Sequence, residues 1–401
     1  MIKPKYILAL AGVLIVFAIY YYQTNAKASD NVVEEIVVEK IYTKMDSLIF
    51  QYDSLLSNKI DSLGSVGAAV VITYKDKIAF LKCFGVKEAG GNDSIDQNTI
   101  FRLASVSKTI TGVLAGILSE EKTIRLDDKV IDYLPELRLK DSLSTNELSI
   151  RNILSHTSGL VPHAYDNLVE AKVPFEVIID SLHRVNISDV PGKLYGYQNV
   201  VFSLYDTISH IKTSKSFDEL LQEKIFCPFG MNNASVGFNS FSDNENKAFP
   251  HGKYRGEYKL LALNDRYYNT IPAAGINASI SDMGQFLLSL SGSDSGFINS
   301  NIPNEVLTPQ VVSPLKWNYL RKWDKVESKH YALGWRIIGY KGREIAYHGG
   351  YLRGYRAEIA LCRDEDFGIA FLTNSPNGVG SMTVPAFLDM YFDMMGEGEE
   401  E

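Results

Sequence analysis

The sequence predicts a mixed α/β (α+β) fold: an antiparallel sheet built from both ends of the chain with flanking helices, plus an inserted all-α domain. Three observations indicate this. Apolar runs rich in β-branched residues occur near residues 66–84 and return near 331–373, while helical patterns dominate residues 100–290. Amphipathic helical segments come before the first strands and after the last. One shared sheet with a helical insertion is the simplest arrangement that buries all of these faces.

The individual elements follow from local periodicity. Residues 31–63 carry apolar side chains near a 3.6-residue period and predict a helix, and Val384–Met395 predicts a second helix with one apolar face. Val66–Thr73 and Ile78–Phe84 surround a polar turn and predict a hairpin. Four further strand patterns are Tyr331–Ile338, Glu344–Tyr347, Arg356–Cys362 and Phe367–Thr373.

These elements predict a division into domains. We expect an α/β sheet domain from residues 31–99 and 300–395, a helical domain at 100–299, and a solvated acidic tail at 396–401. The cleft between a sheet domain and a helical domain is a natural place for a binding site.

The N-terminal residues 1–30 predict export. Lys3 and Lys5 precede an apolar run from Tyr6 to Tyr22, which is typical of a secretory signal peptide or a signal-anchor. The run of about 17 residues is at the short end of what spans a bilayer, and Ala26–Ala28 offers a small-x-small cleavage site. We therefore expect an extracytoplasmic protein, in the periplasm or at the cell surface, that is either secreted or tethered to the inner membrane by this segment alone.

Composition excludes several functions. The 401 residues carry a net charge of −8 without a cluster of Lys and Arg, which argues against nucleic-acid binding. Cys83, Cys227 and Cys362 are far apart and form neither a metal pattern nor a disulfide framework, although one pair could bridge in an oxidising compartment. Zinc-protease, P-loop, dinucleotide and Gly-x-Ser-x-Gly signatures are missing.

The first candidate motif is Ser105-Val-Ser-Lys108. On a helix this spacing sets the hydroxyl and the amine on one face, where a buried, partly neutral lysine can act as the base that activates serine. Only this copy opens a long small-and-apolar helix, from Thr109 to Leu118. The same spacing recurs in polar or loop settings at Ser119/Lys122, Ser209/Lys212 and Ser313/Lys316.

Two further motifs carry candidate side chains. Tyr197-x-Asn199 follows a Pro-Gly turn; a phenolate there would be a competent general base, and the amide could hold a substrate carbonyl, while the alternative is a core tyrosine in a turn. In His348-Gly-Gly350-Tyr351, glycines at a strand edge let a substrate backbone approach, and an N–H near Gly350 or Tyr351 could pair with that of Ser105 as an oxyanion hole. His348 could donate to substrate, tune the lysine and tyrosine, or be satisfied in a hairpin.

A neighbouring serine and histidine do not form a catalytic pair. Side chains one or two residues apart rarely face each other, so we interpret Leu154–Leu160, which contains His156 and Ser158, as a structural turn at the end of a helix.

Together the motifs resemble those of the serine β-lactamase/penicillin-binding-protein superfamily, in which Ser-x-x-Lys carries the nucleophile. The similarity is greatest to its branch of class C β-lactamases, D-Ala-D-Ala carboxypeptidases and esterases, and runs from about Ile41 to Met395. Other segments that carry the resemblance are Leu126–Glu136, Ile150–Leu160, Ile225–Met231 and Pro272–Met283.

The resemblance implies roles for the site residues. Ser105 would be acylated, Lys108 and Tyr197 would share proton transfer, and Asn199 would bind the amide of the acyl side chain. The amides of Ser105 and Tyr351 would hold the oxyanion. No metal or organic cofactor is implied.

The third motif departs from the family pattern. His348-Gly-Gly350 stands where many relatives carry Lys-Thr-Gly, so a permanent cation is missing there, and Arg353 or Arg356 are the candidates to supply it.

The expected function is therefore an exported serine hydrolase acting on β-lactams or D-amino-acid peptides. A carboxylesterase of the same fold and a penicillin-binding protein with little turnover are the alternatives. The expected partner is a small-molecule or peptide substrate, such as one derived from the cell wall.

Overall fold

The computed structural model describes residues 44–291, 299–314 and 323–396. The predicted export segment, residues 31–43 of the first predicted helix and residues 397–401 of the acidic tail lie outside the described residues. The chain divides into two compact units, one of residues up to 55 together with those from 389 onwards, and one of residues 56–388. The second unit contains every described strand and all the candidate site residues. Within the described ranges, no helix is long and apolar enough to cross a membrane.

The described strands form three antiparallel sheets. The largest has eight strands in the order β2-β1-β13-β12-β11-β10-β9-β8, a second has the order β3-β7-β4, and β5 pairs with β6. The strands are β1 Gly67–Tyr74, β2 Lys77–Gly85, β3 Phe101–Arg102, β4 Ser235–Val236, β5 His251–Tyr254, β6 Glu257–Leu260, β7 Ile276–Ala278, β8 Val311–Val312, β9 Val326–Tyr331, β10 Arg336–Tyr340, β11 Arg343–Leu352, β12 Tyr355–Cys362 and β13 Phe367–Thr373.

Most of the α-helices lie, in sequence, between the first two strands, β1 and β2, and the last six, β8–β13. A helix at residues 44–63 (α1) comes first among the described residues. The α-helices after it are α2 Ser107–Glu120, α3 Ser142–Glu147, α4 Ile150–Leu154, α5 Asp166–Glu170, α6 Phe175–Asp180, α7 Val200–Thr213, α8 Phe217–Leu221, α9 Cys227–Phe229, α10 Phe238–Ser242, α11 Ile271–Ala274, α12 Ile280–Leu290, α13 Asn301–Leu307 and α14 Gly380–Met395. Short 3-10 turns occur at Ala104–Val106, Val130–Asp132 and Ser181–Arg184, and a π-helical turn at Gln222–Phe226.

The predicted mixed α/β fold with a shared antiparallel sheet is confirmed: residues 68–74 of β1, from one end of the chain, pair with β13 from the other. The inserted region is not all-α as expected, because β3, β4 and β7 form one small sheet there and β5 pairs with β6. All eight residues of β1 are buried, as the continuous apolar run requires of a strand covered on both faces. Helix α12 packs on this part of the sheet, where a Cβ on Gly284 would lie 3.0 Å from Val71 Cγ2. The division at residues 99 and 300 stays a prediction.

One strand prediction is wrong. Tyr331–Ile338 is two strands of a hairpin, β9 and β10, because Gly334 lies between them at φ +79°. Glycine reaches this left-handed conformation without the steric cost that a Cβ imposes. A Cβ there would also lie 2.1 Å from the carbonyl oxygen of Lys108, so the turn packs directly on α2. The hairpin brings Arg336 opposite Tyr331, which becomes important in the site.

Candidate active site

Ser105 lies in the 3-10 turn that leads into α2. From Phe101 to Leu118 every residue is buried except Ser105, which is partly exposed. Its neighbour Ala104 has φ +50°, an uncommon conformation for a residue with a side chain. The turn therefore presents one accessible hydroxyl at the surface of an otherwise buried segment.

Lys108 is the second residue of α2 and is completely buried. Its Nζ is 3.4 Å from Ser105 Oγ, 2.8 Å from Asn199 Oδ1 and 2.9 Å from the carbonyl oxygen of Ala273. Burial lowers the pKa of the amine well below its usual value; Asp166 opposes this effect and Arg336 adds to it. A neutral amine has two N–H groups, which Asn199 and Ala273 accept, so its lone pair is left for the Ser105 hydroxyl.

Tyr197 lies just before α7 and is buried, and its hydroxyl hydrogen-bonds the side chain of Ser105. Burial raises its pKa, against the opposing influence of the Arg336 guanidinium, which is 5.7 Å from the ring centroid. The resting side chain is therefore a neutral phenol, and the interpretation of Tyr197 as a preformed phenolate base does not fit this environment. A phenol in this position can instead pass a proton between neighbours.

Asn199 connects Lys108 to a carboxylate that the sequence analysis missed. Asn199 Oδ1 accepts from Lys108, and its Nδ2 lies 3.0 Å from both oxygens of Asp166. Asp166 begins α5, and its Oδ2 is also 2.8 Å from His163 Nδ1. Because both polar atoms of the Asn199 side chain already have protein partners, binding a substrate amide would require sharing them.

His348 and Gly350 lie within β11. His348 is completely buried, with Nδ1 2.9 Å from the carbonyl oxygen of Gly349 and Nε2 3.1 Å from the hydroxyl of Tyr331. Burial, then Arg336 and Lys108, lower the pKa of its imidazole well below the usual value, so the ring is neutral. Direct donation from this side chain to a substrate does not fit its burial, whereas a role in tuning its neighbours remains a prediction.

Gly350 brings β11 against the turn that carries Ser105. A Cβ on Gly350 would lie 2.2 Å from the carbonyl oxygen of Leu103 and 3.0 Å from the backbone nitrogen of Ser105, so only glycine fits. Tyr351 follows with 59% of its side chain exposed. The predicted pairing of the Ser105 and Tyr351 amides therefore involves two segments that pack against each other, and their role as oxyanion donors stays a prediction.

The arginine that lies beside the site residues is Arg336, which was not among the cations that the sequence analysis proposed. Arg356 is paired with the buried Glu358, and Arg353 is exposed at the turn between β11 and β12. Arg336, only 9% exposed, lies 3.1 Å from the Tyr195 hydroxyl through Nη1, and its guanidinium carbon is 5.5 Å from the Tyr331 ring centroid. No local signal in the sequence marks it, because its position depends on the β9–β10 hairpin.

The segment after α4 packs behind the tyrosine. His156 has φ +58°, is fully buried, and its ring centroid is 4.2 Å from that of Tyr197. Its Nδ1 is 3.2 Å from the backbone nitrogen of Gln198, which donates to it. The Ser158 hydroxyl accepts from the Leu160 amide at 3.4 Å. These contacts suit the structural role expected of this segment.

An accessible serine beside a buried lysine and tyrosine, on an antiparallel sheet with flanking helices, defines a class: the serine hydrolases of the β-lactamase fold. The chain belongs to the Beta-lactamase family, whose model matches residues 52–389.

Individual relatives are distant. Over 270 residues the chain is 24% identical to Beta-lactamase-like protein 4 of Dictyostelium discoideum, covering 63% of this chain and 47% of that protein. It is 25% identical over 326 residues to the D-aminopeptidase of Brucella anthropi, covering 79% of this chain and 57% of that protein. The octameric penicillin-binding protein homologue from Pyrococcus abyssi has the same fold, with a TM-score of 0.73 at 19% identity over 87% of this chain and 77% of that one. The chain spans about half the length of these two curated relatives.

Proposed function

We propose that this protein is an exported serine hydrolase that forms an acyl-enzyme on Ser105 and cleaves amide or ester bonds in β-lactams or peptides of D-amino acids. The observation that carries the proposal is the position of the Ser105 hydroxyl between the buried amine of Lys108 and the hydroxyl of Tyr197. A serine hydroxyl needs such a base to become a nucleophile.

The acylation step follows from this arrangement. Ser105 Oγ attacks the carbonyl carbon while its proton moves to the lone pair of Lys108 Nζ. The carbonyl oxygen becomes an oxyanion, which the amides of Ser105 and Tyr351 would stabilise. As the tetrahedral intermediate collapses, the bond to the leaving group breaks, and Tyr197 donates its hydroxyl proton to the departing nitrogen or oxygen. Lys108 then returns the proton that it took from Ser105 to Tyr197, so that both groups regain their starting protonation states.

Deacylation uses the same groups in reverse. A water molecule attacks the acyl carbon and gives a proton to the Tyr197 oxygen, while Tyr197 passes its own hydroxyl proton to the neutral amine of Lys108, which later returns a proton to the Ser105 oxygen. The ester bond to Ser105 breaks, and the Ser105 oxygen recovers a proton. A slow second step would give a penicillin-binding protein with little turnover.

The nature of the third motif favours a second candidate, a carboxylesterase. His348 is neutral and buried, so the third motif offers no permanent cation that could bind the carboxylate of a β-lactam or a peptide. Simple esters carry no such carboxylate, so their hydrolysis does not require this cation. A D-aminopeptidase is a further candidate, since a relative from Brucella anthropi carries that name.

One set of probes separates these activities. Purified protein is incubated with a fluorescent penicillin, nitrocefin, D-alanine p-nitroanilide and p-nitrophenyl butyrate. Stable label alone indicates a penicillin-binding protein, nitrocefin turnover a lactamase, anilide turnover a D-aminopeptidase, and butyrate turnover alone an esterase. Ser105→Ala should abolish label and turnover, whereas Ser119→Ala, which alters another Ser-x-x-Lys copy, should retain both. Full activity of Ser105→Ala would disprove the mechanism.

Export is tested separately. The full-length chain should fractionate outside the cytoplasm, and deletion of residues 1–30 should retain it inside. Equal distribution of both forms would contradict the proposal.

A further inference from the structure

Two charged side chains outside the three motifs lie close to Lys108 and Tyr197. Asp166 reaches Lys108 through Asn199, whose amide lies 3.0 Å from both carboxylate oxygens and 2.8 Å from Nζ. The Arg336 guanidinium carbon lies over the Tyr197 ring, 5.7 Å from its centroid, and Nη1 is held 3.1 Å from the Tyr195 hydroxyl. Neither charge belongs to a motif that the proposed function uses.

We propose that Asp166 and Arg336 are an opposed pair of positioning residues whose charges together set the proton balance of Lys108 and Tyr197. This inference rests on the proposed function, because it assigns these two charges to the control of the same nucleophile. Arg336 thereby places a permanent positive charge, from β10, beside the Tyr197 ring.

The signs of the two effects follow from electrostatics. A nearby carboxylate favours the ammonium form of Lys108 and disfavours a tyrosinate, so Asp166 raises the pKa of both groups. A nearby guanidinium does the reverse and lowers the pKa of both. Arginine keeps its charge throughout the working pH range, so its influence is constant. Removal of Arg336 should therefore raise the pKa of both Lys108 and Tyr197, and removal of Asp166 should lower the pKa of both.

Other titratable groups also face this cluster. Burial lowers the pKa of His156 and His348, so both are neutral and contribute no charge near neutrality. Burial, and then the Arg336 guanidinium, lower the pKa of Lys329. Tyr331 is buried and its pKa is raised. His163 Nδ1 contacts Asp166 Oδ2 at 2.8 Å, and 51% of the His163 side chain is exposed.

The test is the pH dependence of Ser105 acylation by a fluorophosphonate probe, which requires no knowledge of the natural substrate. In wild type the rate should rise with pH as Lys108 loses its proton, which gives an acid limb; loss of the Tyr197 proton lies above the working pH range because burial raises its pKa. In Arg336→Met the acid limb should move to higher pH by about one unit, and in Asp166→Asn it should move to lower pH by about one unit. Arg336→Lys should restore the wild-type limb.

The controls separate charge from structure. Asp76→Asn in the exposed β1–β2 turn and Arg125→Met, whose side chain is 81% exposed, remove the same charges far from these contacts and should leave the profile unchanged. The profiles are repeated with His163→Gln, which removes the titratable neighbour of Asp166, and the opposite shifts should persist. Thermal melting checks that each variant is folded.

Each outcome has a distinct meaning. Rates that fall equally at every pH in Arg336→Met and Asp166→Asn, without movement of the acid limb, would show a merely structural role and overturn the inference. Shifts in the same direction would also overturn it. If Ser105→Ala is labelled as fast as wild type, the proposed function itself fails.

Discussion

Replacing Gly350 with alanine tests the packing of β11 against the nucleophile turn. The new Cβ would lie 2.2 Å from the carbonyl oxygen of Leu103, 3.0 Å from the nitrogen of Ser105 and 3.1 Å from Cβ of Ala104. Relaxed contacts between heavy atoms are about 3.5 Å. The strand or the turn must therefore move by about 1 Å. The clash is with backbone atoms, so no side-chain rotation relieves it.

The displacement should affect catalysis more than stability. Overpacking of this kind costs about 1–3 kcal/mol of unfolding free energy, which lowers Tm by about 2–6 °C. A misplacement of about 1 Å between reacting groups lowers a rate by about 100-fold. We therefore expect Gly350→Ala to stay folded at room temperature and to acylate Ser105 about 100 times more slowly.

The assay combines fluorophosphonate labelling rates with thermal melting. Gly378→Ala is the matched control, because its Cβ would meet only Leu63 Cδ1 at the ordinary distance of 3.7 Å. The control should keep both the wild-type rate and Tm. A Gly350→Ala protein that labels at the wild-type rate would refute the reasoning, since it would mean that Ser105 tolerates displacement of the strand beside it.

Three other substitutions test individual contacts. Tyr197→Phe removes the hydroxyl bonded to Ser105 but keeps the ring on His156, so turnover should fall by about 100-fold or more with Tm little changed; unchanged turnover would remove Tyr197 from the mechanism. Asn199→Ala removes a hydrogen-bond acceptor of Lys108, so labelling of Ser105 should slow by about tenfold. A wild-type labelling rate would show that this hydrogen bond does not support the activation of Ser105. Ser216→Ala deletes the exposed capping box of α8 and should lower the urea-derived unfolding free energy by about 1 kcal/mol without altering turnover; altered turnover would contradict this.

Much of the fold was predictable from local patterns. The hairpin at residues 66–84, the strands at 356–373 and the C-terminal helix follow from apolar periodicity, because burial on one or both faces imposes that periodicity directly. The division of Tyr331–Ile338 did not follow. An apolar run does not indicate whether the chain turns back on itself, and here the left-handed conformation of Gly334, packed on α2, decides it.

The candidate site was likewise predictable only in part. The sequence by itself predicted the motif residues Ser105, Lys108, Tyr197 and Asn199, because the required chemistry constrains residue types at short spacings, and these side chains do lie in contact. Only the tertiary structure decided what surrounds them. Arg336 and Tyr195 are 141 positions apart, and Asn199 and Asp166 are 33 apart. Strand register and helix packing bring these charges together, and the burial they share makes a lysine neutral and a histidine uncharged.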